Sequence, residues 1–206
     1  MNNLAAEIRE KILELQSEFE KGIEEKRQKF HYHLERKKVV FEQSVIERHR
    51  LLREKLLQFL RKSEIGTILT APVIYSLIIP AVLMDLFVTV YQHICFRVYE
   101  IPLVKRSEYV VMDRKYLEYL NIIQKINCIY CEYANGVIAY VREVASRTEQ
   151  FWCPIKHANK ISGVHDRYYD FIEYGDSDGF KGKILDQREK CRACEMPGNC
   201  ASQPGK

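Results

Sequence analysis

Four residues of this chain have the types and spacing to grip a metal ion: Cys128, Cys131, Cys153 and His157. Cys128 and Cys131 form a C-x-x-C pair whose two sulfurs can bite one ion. Cys153 opens the run Cys-Pro-Ile-Lys-His, which places His157 four residues further on. Three thiolates and one imidazole complete a four-coordinate zinc site. Iron or an iron–sulfur cluster is the alternative occupant. Further ligand candidates are His165 and the three cysteines of the run CRACEMPGNC, namely Cys191, Cys194 and Cys200. Two other chemistries compete, a redox-active C-x-x-C thiol pair and a Cys153 nucleophile activated by His157. No third group to orient His157 accompanies that pair, so no catalytic residue is assigned. Seven cysteines is an odd count. The polar amino terminus does not read as a cleavable signal peptide, so the thiols are expected to be reduced and not paired as disulfides.

The elements that must position these residues are helical. Ile129, Tyr133, Val137, Tyr140, Val144 and Phe151 recur on one broad stripe, which predicts a helix between the two cysteine groups. If that helix is unbroken its ends stand about 30 Å apart, too far for one ion to bridge. Three arrangements restore a site. The helix can break at Asn135-Gly136, a turn-forming dipeptide. Two chains can pair antiparallel about Tyr140. The carboxy-terminal tail can supply the missing ligands. Glu132, Glu143 and Glu149 lie in the same stretch, and carboxylates on facing helices can hold paired irons. The region has no Glu-x-x-His motif, so Arg142 and Arg147 are expected to pair with these acids instead.

The run Cys128-x-Tyr-Cys-x-Tyr-Ala-Asn-Gly136, followed by Arg147-Thr-Glu-x-Phe-Trp-Cys-Pro-Ile-Lys-His-Ala158, resembles a family of uncharacterised bacterial membrane-associated proteins. The resemblance covers roughly residues 80–175. It implies a bacterial source and little else, and it carries no activity or catalytic residue with it.

A membrane setting is what the middle of the chain dictates. Ile65 to Met84 is twenty residues without a formal charge, and after Asp85 the apolar run continues to Phe96. Twenty helical residues reach about 30 Å, the thickness of a bilayer's hydrocarbon core. Pro72 and Pro80 interrupt the backbone donors, so residues 65–96 are expected to form a kinked, tilted span or a re-entrant hairpin bent near Pro80. Asp85 and His93 are the polar residues of this segment and stand out as functional candidates. Basic residues flank both ends, among them Arg48, Arg50, Arg53, Arg61, Lys62, Arg97, Lys105 and Arg106. By the positive-inside rule both soluble parts face the cytoplasm, at the inner (cytoplasmic) membrane.

Residues 1–64 contain no proline and only Gly22 as a breaker. Their apolar positions repeat every eleven residues: Ile8, Phe19, Phe30, Phe41 and Leu52 in one series, and Ile12, Ile23, Leu34, Val45 and Leu56 in another. This spacing predicts one long amphipathic helix. So narrow a stripe needs a partner, and a second copy of the chain is the expectation. A helix of another protein or a lipid surface are the alternatives. Residues 97–113 read as a connector. Residues 114–175 read as a helical Cys/His module, with Asp113 as N-cap of a helix starting at Arg114, and residues 176–206 as a polar tail. The net charge is +4, and acids alternate with bases over the first sixty residues, which excludes a nucleic-acid patch. The expected protein is therefore all-α: a membrane-tethered, metal-binding scaffold or sensor that self-associates. A membrane-associated redox component with an iron centre is the alternative.

Overall fold

A computed structural model of the chain describes residues 2–35 and 38–193, without the side chains of residues 2–9, 12 and 13. Cys194 and Cys200, two of the alternative ligands, lie outside the described residues. The fold is mostly helical. It divides into two units, one of residues 1–65 with 112–129, the other of residues 66–111 with 130–206.

The first unit corrects the single long helix. Helix α1 (Asn2–Lys29) ends where His31 takes φ 51°, a left-handed conformation. The chain then forms a two-stranded antiparallel hairpin, β1 (Tyr32–Glu35) with β2 (Lys38–Phe41), in the register Tyr32↔Phe41, His33↔Val40 and Leu34↔Val39. Tyr32, Val39, Val40 and Phe41 are β-branched or aromatic and fit a pleated surface better than a helix. The rings of Tyr32 and Phe41 stand 5.5 Å apart across the strands, and Phe41 meets His49, which in turn meets Tyr119. Phe30 and Phe41 fit the eleven-residue spacing, yet a hairpin comes between them, so the stripe is not continuous. Two short helices follow, α2 (Gln43–Leu51) and α3 (Leu56–Lys62). Arg53 grips Glu118 through its side chain and, at 2.8 Å, through the Glu118 carbonyl. Lys125 adds a second cation to the same carboxylate at 3.0 Å. These cations hold the Glu118 carboxyl below the usual carboxylate range, the Lys125 hydrogen bond first.

The helix expected from Arg114 is only a 3-10 turn at Arg114–Tyr116. The true start comes six residues after that turn. Gln124 N–H donates to Asn121 Oδ1 at 3.0 Å and Asn121 N–H donates to Gln124 Oε1 at 2.9 Å, a reciprocal capping box. It opens α8 (Ile122–Trp152), 31 residues without a break.

In the second unit the apolar segment is one helical run of 35 residues, Ile65–Tyr99, about 52 Å long. It comprises α4 (Ile65–Ser76), α5 (Ile78–Tyr91), a π turn at Gln92–Phe96 and α6 (Arg97–Tyr99). It outlasts the expected end at Phe96 and does not double back near Pro80, which removes the re-entrant hairpin. The irregularity falls at Leu77, whose N–H donates to Ile74 three residues back. Pro80 sits in the first turn of α5, where a missing N–H costs little. Tyr130 O–H donates to the Ile74 carbonyl at 2.7 Å, supplying a side-chain partner at the irregular turn.

A short helix α7 (Arg106–Tyr109) and an extended connector lead away from this run, and α9 (Ser177–Ala193) closes the unit. The core gathers Phe96, Ile101, Val104, Tyr140, Val144, Phe151 and Cys191. Asn135-Gly136 is not a break. Asn135 Nδ2 donates to the Cys131 carbonyl at 2.8 Å, one turn back along α8, which absorbs its turn-forming side chain. Gly136 is needed for a different reason. A Cβ at this position would stand 2.8 Å from the Tyr109 carbonyl oxygen and 2.9 Å from the Val110 Cα, both backbone. Gly136→Ala is therefore expected to lower stability by about 1–3 kcal/mol despite alanine's better helix propensity. Denaturant titration reads this directly, and an unchanged midpoint would show that the connector yields freely.

Candidate functional site

The residues expected to hold a metal do not converge within one chain. Cys131 and Cys153 lie 22 positions apart on and just beyond the unbroken α8, roughly 33 Å along its axis. Both are exposed, as is His157, whose ring stacks on Tyr168 with centroids 6.2 Å apart and whose N–H donates to the Tyr168 hydroxyl at 2.7 Å. Cys128 lies one helical turn before Cys131 on α8. The helix stops at Trp152, so Cys153 and His157 lack the i, i+4 geometry that the nucleophile reading needs. Among the described residues no group of three or more His, Cys, Asp or Glu side chains is placed to hold an ion. His165 is engaged elsewhere, with Nε2 2.8 Å from Glu149 Oε2.

Cys191 is buried in the core, with its sulfur 3.6 Å from the Arg147 carbonyl. Burial pushes this thiol up to about 11 from an ordinary value of 9.0. The neutral thiol is thus the folded form at physiological pH, and Cys191 is expected to label more slowly than exposed Cys131 and Cys153 in the native protein. The raised value also fixes a pH dependence. The unfolded chain ionises first, so the stabilising contribution is complete below pH 9 and lost as pH rises through about 11. Tyr109, pushed by burial to about 12, acts in the same direction. Alkaline titration of the folded protein by circular dichroism tests both.

Two polar arrays in the second unit organise the interior instead. The first is a seam along the apolar helix. Its covered positions are Ala71, Tyr75, Ile78, Ala81, Asp85, Val88, Gln92 and Phe96, three or four residues apart, which is one face of a helix. Most other positions are exposed, with Leu77, Leu83, Leu86, Phe87, Val90 and Ile94 among the apolar ones and Ser76, His93 and Arg97 among the polar ones. Helix α8 runs parallel along the seam. Tyr130 meets Tyr75, Tyr133 O–H donates to Asp85 at 2.9 Å, Tyr140 sits between Thr89 and Gln92, and Thr148 meets Tyr91. Asp85 is 8% exposed and receives Arg106 in a fork, Nε at 2.8 Å and Nη2 at 2.6 Å. This bidentate pair is the strong form of an ion pair. Asp85 also holds the Arg106 guanidinium above its ordinary value. Gln92 is fully satisfied: its amide donates to the Tyr140 hydroxyl at 2.6 Å, and its carbonyl accepts from the Val104 N–H at 2.9 Å. His93, by contrast, is exposed and turns back to the Thr89 carbonyl at 2.7 Å.

The second array is an ionic cleft of about 320 Å³. Glu143 Oε1 accepts from Arg147 Nε at 2.8 Å and from Arg167 Nη2 at 2.7 Å, all three side chains being buried. Arg147 Nη1 also donates to the Pro102 carbonyl at 2.6 Å. The expected pairing of Arg147 with an acid is present. Arg142 instead donates to the carbonyls of Gly163 and Val164, at 3.1 and 2.6 Å. Arg106 and Arg167 were invisible in the sequence as site residues. They lie 21 and 24 residues from their carboxylates, with no periodic spacing to link them.

No family model, no curated protein and no solved structure matches this chain.

Proposed function

We propose that the chain is a membrane-tethered, non-catalytic scaffold or sensor, attached through the exposed apolar arc of the Ile65–Tyr99 helix. One observation supports this reading above the others. A helix long and apolar enough to cross a bilayer is covered by protein along one seam, where Asp85 and Gln92 are buried, while Leu77, Leu83, Leu86, Phe87 and Val90 are exposed. The remaining arc presents mainly leucine, valine and phenylalanine, and a large contiguous apolar surface marks an interaction or membrane site. Lipid is the occupant that such an arc fits, with the Asp85 carboxylate turned inward onto Tyr133 of α8. A single crossing puts the two ends of this helix on opposite sides of the bilayer, so basic residues at both ends no longer favour a cytoplasmic face for both soluble parts. Membrane fractionation and alkaline carbonate extraction test this: the wild-type chain is expected to stay with the membrane, and recovery in the soluble fraction without detergent would overturn the reading.

Two parts of the reading ask for a second copy. Leu15 and Phe19 are exposed on α1 and offer an assembly face in place of the interrupted stripe. Zinc on Cys128, Cys131, Cys153 and His157 fits only across two chains paired antiparallel along α8. Elemental analysis separates the possibilities: stoichiometric zinc supports the shared site, a coloured iron-containing preparation supports the redox alternative, and a metal-free oligomer removes both.

A further inference from the structure

We infer that the cleft between α8 and the loop at residues 163–167 binds a small oxyanion, a phosphate or carboxylate group, through Arg167 and Tyr109. Three independent observations lead there. The first is charge. Two buried guanidinium groups, Arg147 and Arg167, converge on one oxygen of one buried carboxylate, Glu143. The Arg167 guanidinium on the wall of the cleft is thus a buried positive charge within reach of an entering anion. The second is an unmet donor. Arg167 is 5% exposed and lines the cleft, yet its Nε–H has no hydrogen-bond partner. A buried N–H left unpaired costs stability comparable to a lost hydrogen bond, and a ligand oxygen supplies what it lacks. The third is space. About 320 Å³ lies beside these groups, walled by the apolar Ile138 and Ala139 and by Tyr109, which is at the small end of ligand pockets.

The other charged groups on the wall agree with this sign or do not oppose it strongly. Arg142 adds a third positive charge while giving its hydrogen bonds to backbone carbonyls. Asp166 is exposed, so water screens its charge. His165 engages Glu149 through Nε2, which leaves Nδ1 without a partner among the described residues. The Tyr109 hydroxyl remains protonated through the physiological range and serves as a neutral donor. A guanidinium and a phenol facing one small cavity recognise an oxyanion by charge and by hydrogen bonding together.

The test uses the full chain in a neutral detergent, titrated separately with inorganic phosphate, acetate and chloride and followed by calorimetry. Saturable binding of phosphate or acetate with Kd below about 1 mM, and none of chloride, is expected. Tyr109→Phe, which removes only the hydroxyl, is expected to weaken binding about three- to tenfold. Arg167→Lys keeps the charge but loses the fork and is expected to weaken it at least about tenfold. If Arg167→Lys does not fold, Tyr109→Phe alone decides. Absence of saturable binding to the wild-type protein, an equal response to chloride, or unchanged affinity in Tyr109→Phe would each overturn the inference. Membrane attachment is read separately, so this site can fail while the tether stands.

Discussion

Glu143→Gln is expected to destabilise the folded protein by about 3–5 kcal/mol, the largest single-residue effect in the second unit. The reason is the company that Glu143 keeps. Both Arg147 and Arg167 donate to its Oε1, at 2.8 and 2.7 Å, and their side chains are 5% and 6% exposed. Glutamine keeps the shape and one acceptor but removes the only charge that these hydrogen bonds share. Two guanidinium groups are then left in a low-dielectric setting with water largely excluded. The comparison with Asp85→Asn makes the claim sharper. Asp85 is as well hydrogen-bonded as Glu143, but the Arg106 side chain is 40% exposed and is not enclosed by the protein when its partner is lost. That substitution is expected to cost nearer about 1 kcal/mol. Equilibrium urea denaturation of both variants measures the difference. Equal losses would mean that burial of the arginines does not set the cost.

The second large effect concerns lipid attachment. Leu86 and Phe87 are 57% and 69% exposed on the apolar arc, opposite the seam that holds Asp85. Replacing both with Asp places two charges where hydrocarbon is expected, at about 2.5–3.5 kcal/mol each near the centre of a helix in a bilayer. Partition should fall by more than about a hundredfold, since 1.4 kcal/mol is a factor of ten. The double variant is expected in the soluble fraction, with unchanged far-ultraviolet circular dichroism because neither side chain packs in the core. Retention of the double variant in the membrane after carbonate extraction would sink the assignment of this arc to lipid. The same substitutions on the seam would instead unfold the unit, so the two faces are experimentally distinct.

The apolar run was legible because composition alone marks it: twenty uncharged residues need no register or partner to be recognised. Its end was harder. Arg97 suggested a boundary, yet the helix continues to Tyr99 and stops where Glu100 takes φ 61° and the Ile101 N–H reaches back to the Phe96 carbonyl. The amino-terminal region misled because an eleven-residue spacing can be satisfied by residues that never share a helix. Val39-Val40-Phe41 carried the opposing local signal, and cross-strand pairing with Tyr32 gave it the advantage. The start of α8 was encoded in Asn121-x-x-Gln124, a capping box outshone by the more familiar Asp113. Asn135-Gly136 read as a turn because those residues usually are one. Only the packed backbone of Tyr109 and Val110 reveals that the glycine serves close approach. The ion pairs that organise the interior were out of reach for a simpler reason: Asp85 with Arg106, and Glu143 with Arg167, are joined by tertiary folding across intervening elements.

The seam along the long helix also works as a rotational key. Asp85 and Gln92 hydrogen-bond to Tyr133 and Tyr140 of α8 at a fixed azimuth, so the angle at which every other residue points outward is set by hydrogen bonds within the protein rather than by the surrounding medium. Adding one residue just before Asp85 would turn everything beyond it by about 100°, carrying the carboxylate out from under Arg106 and leaving the inserted residue in its place. A greasy segment that can be dialled in only one orientation fixes which side of the body packed on it turns away from the apolar arc.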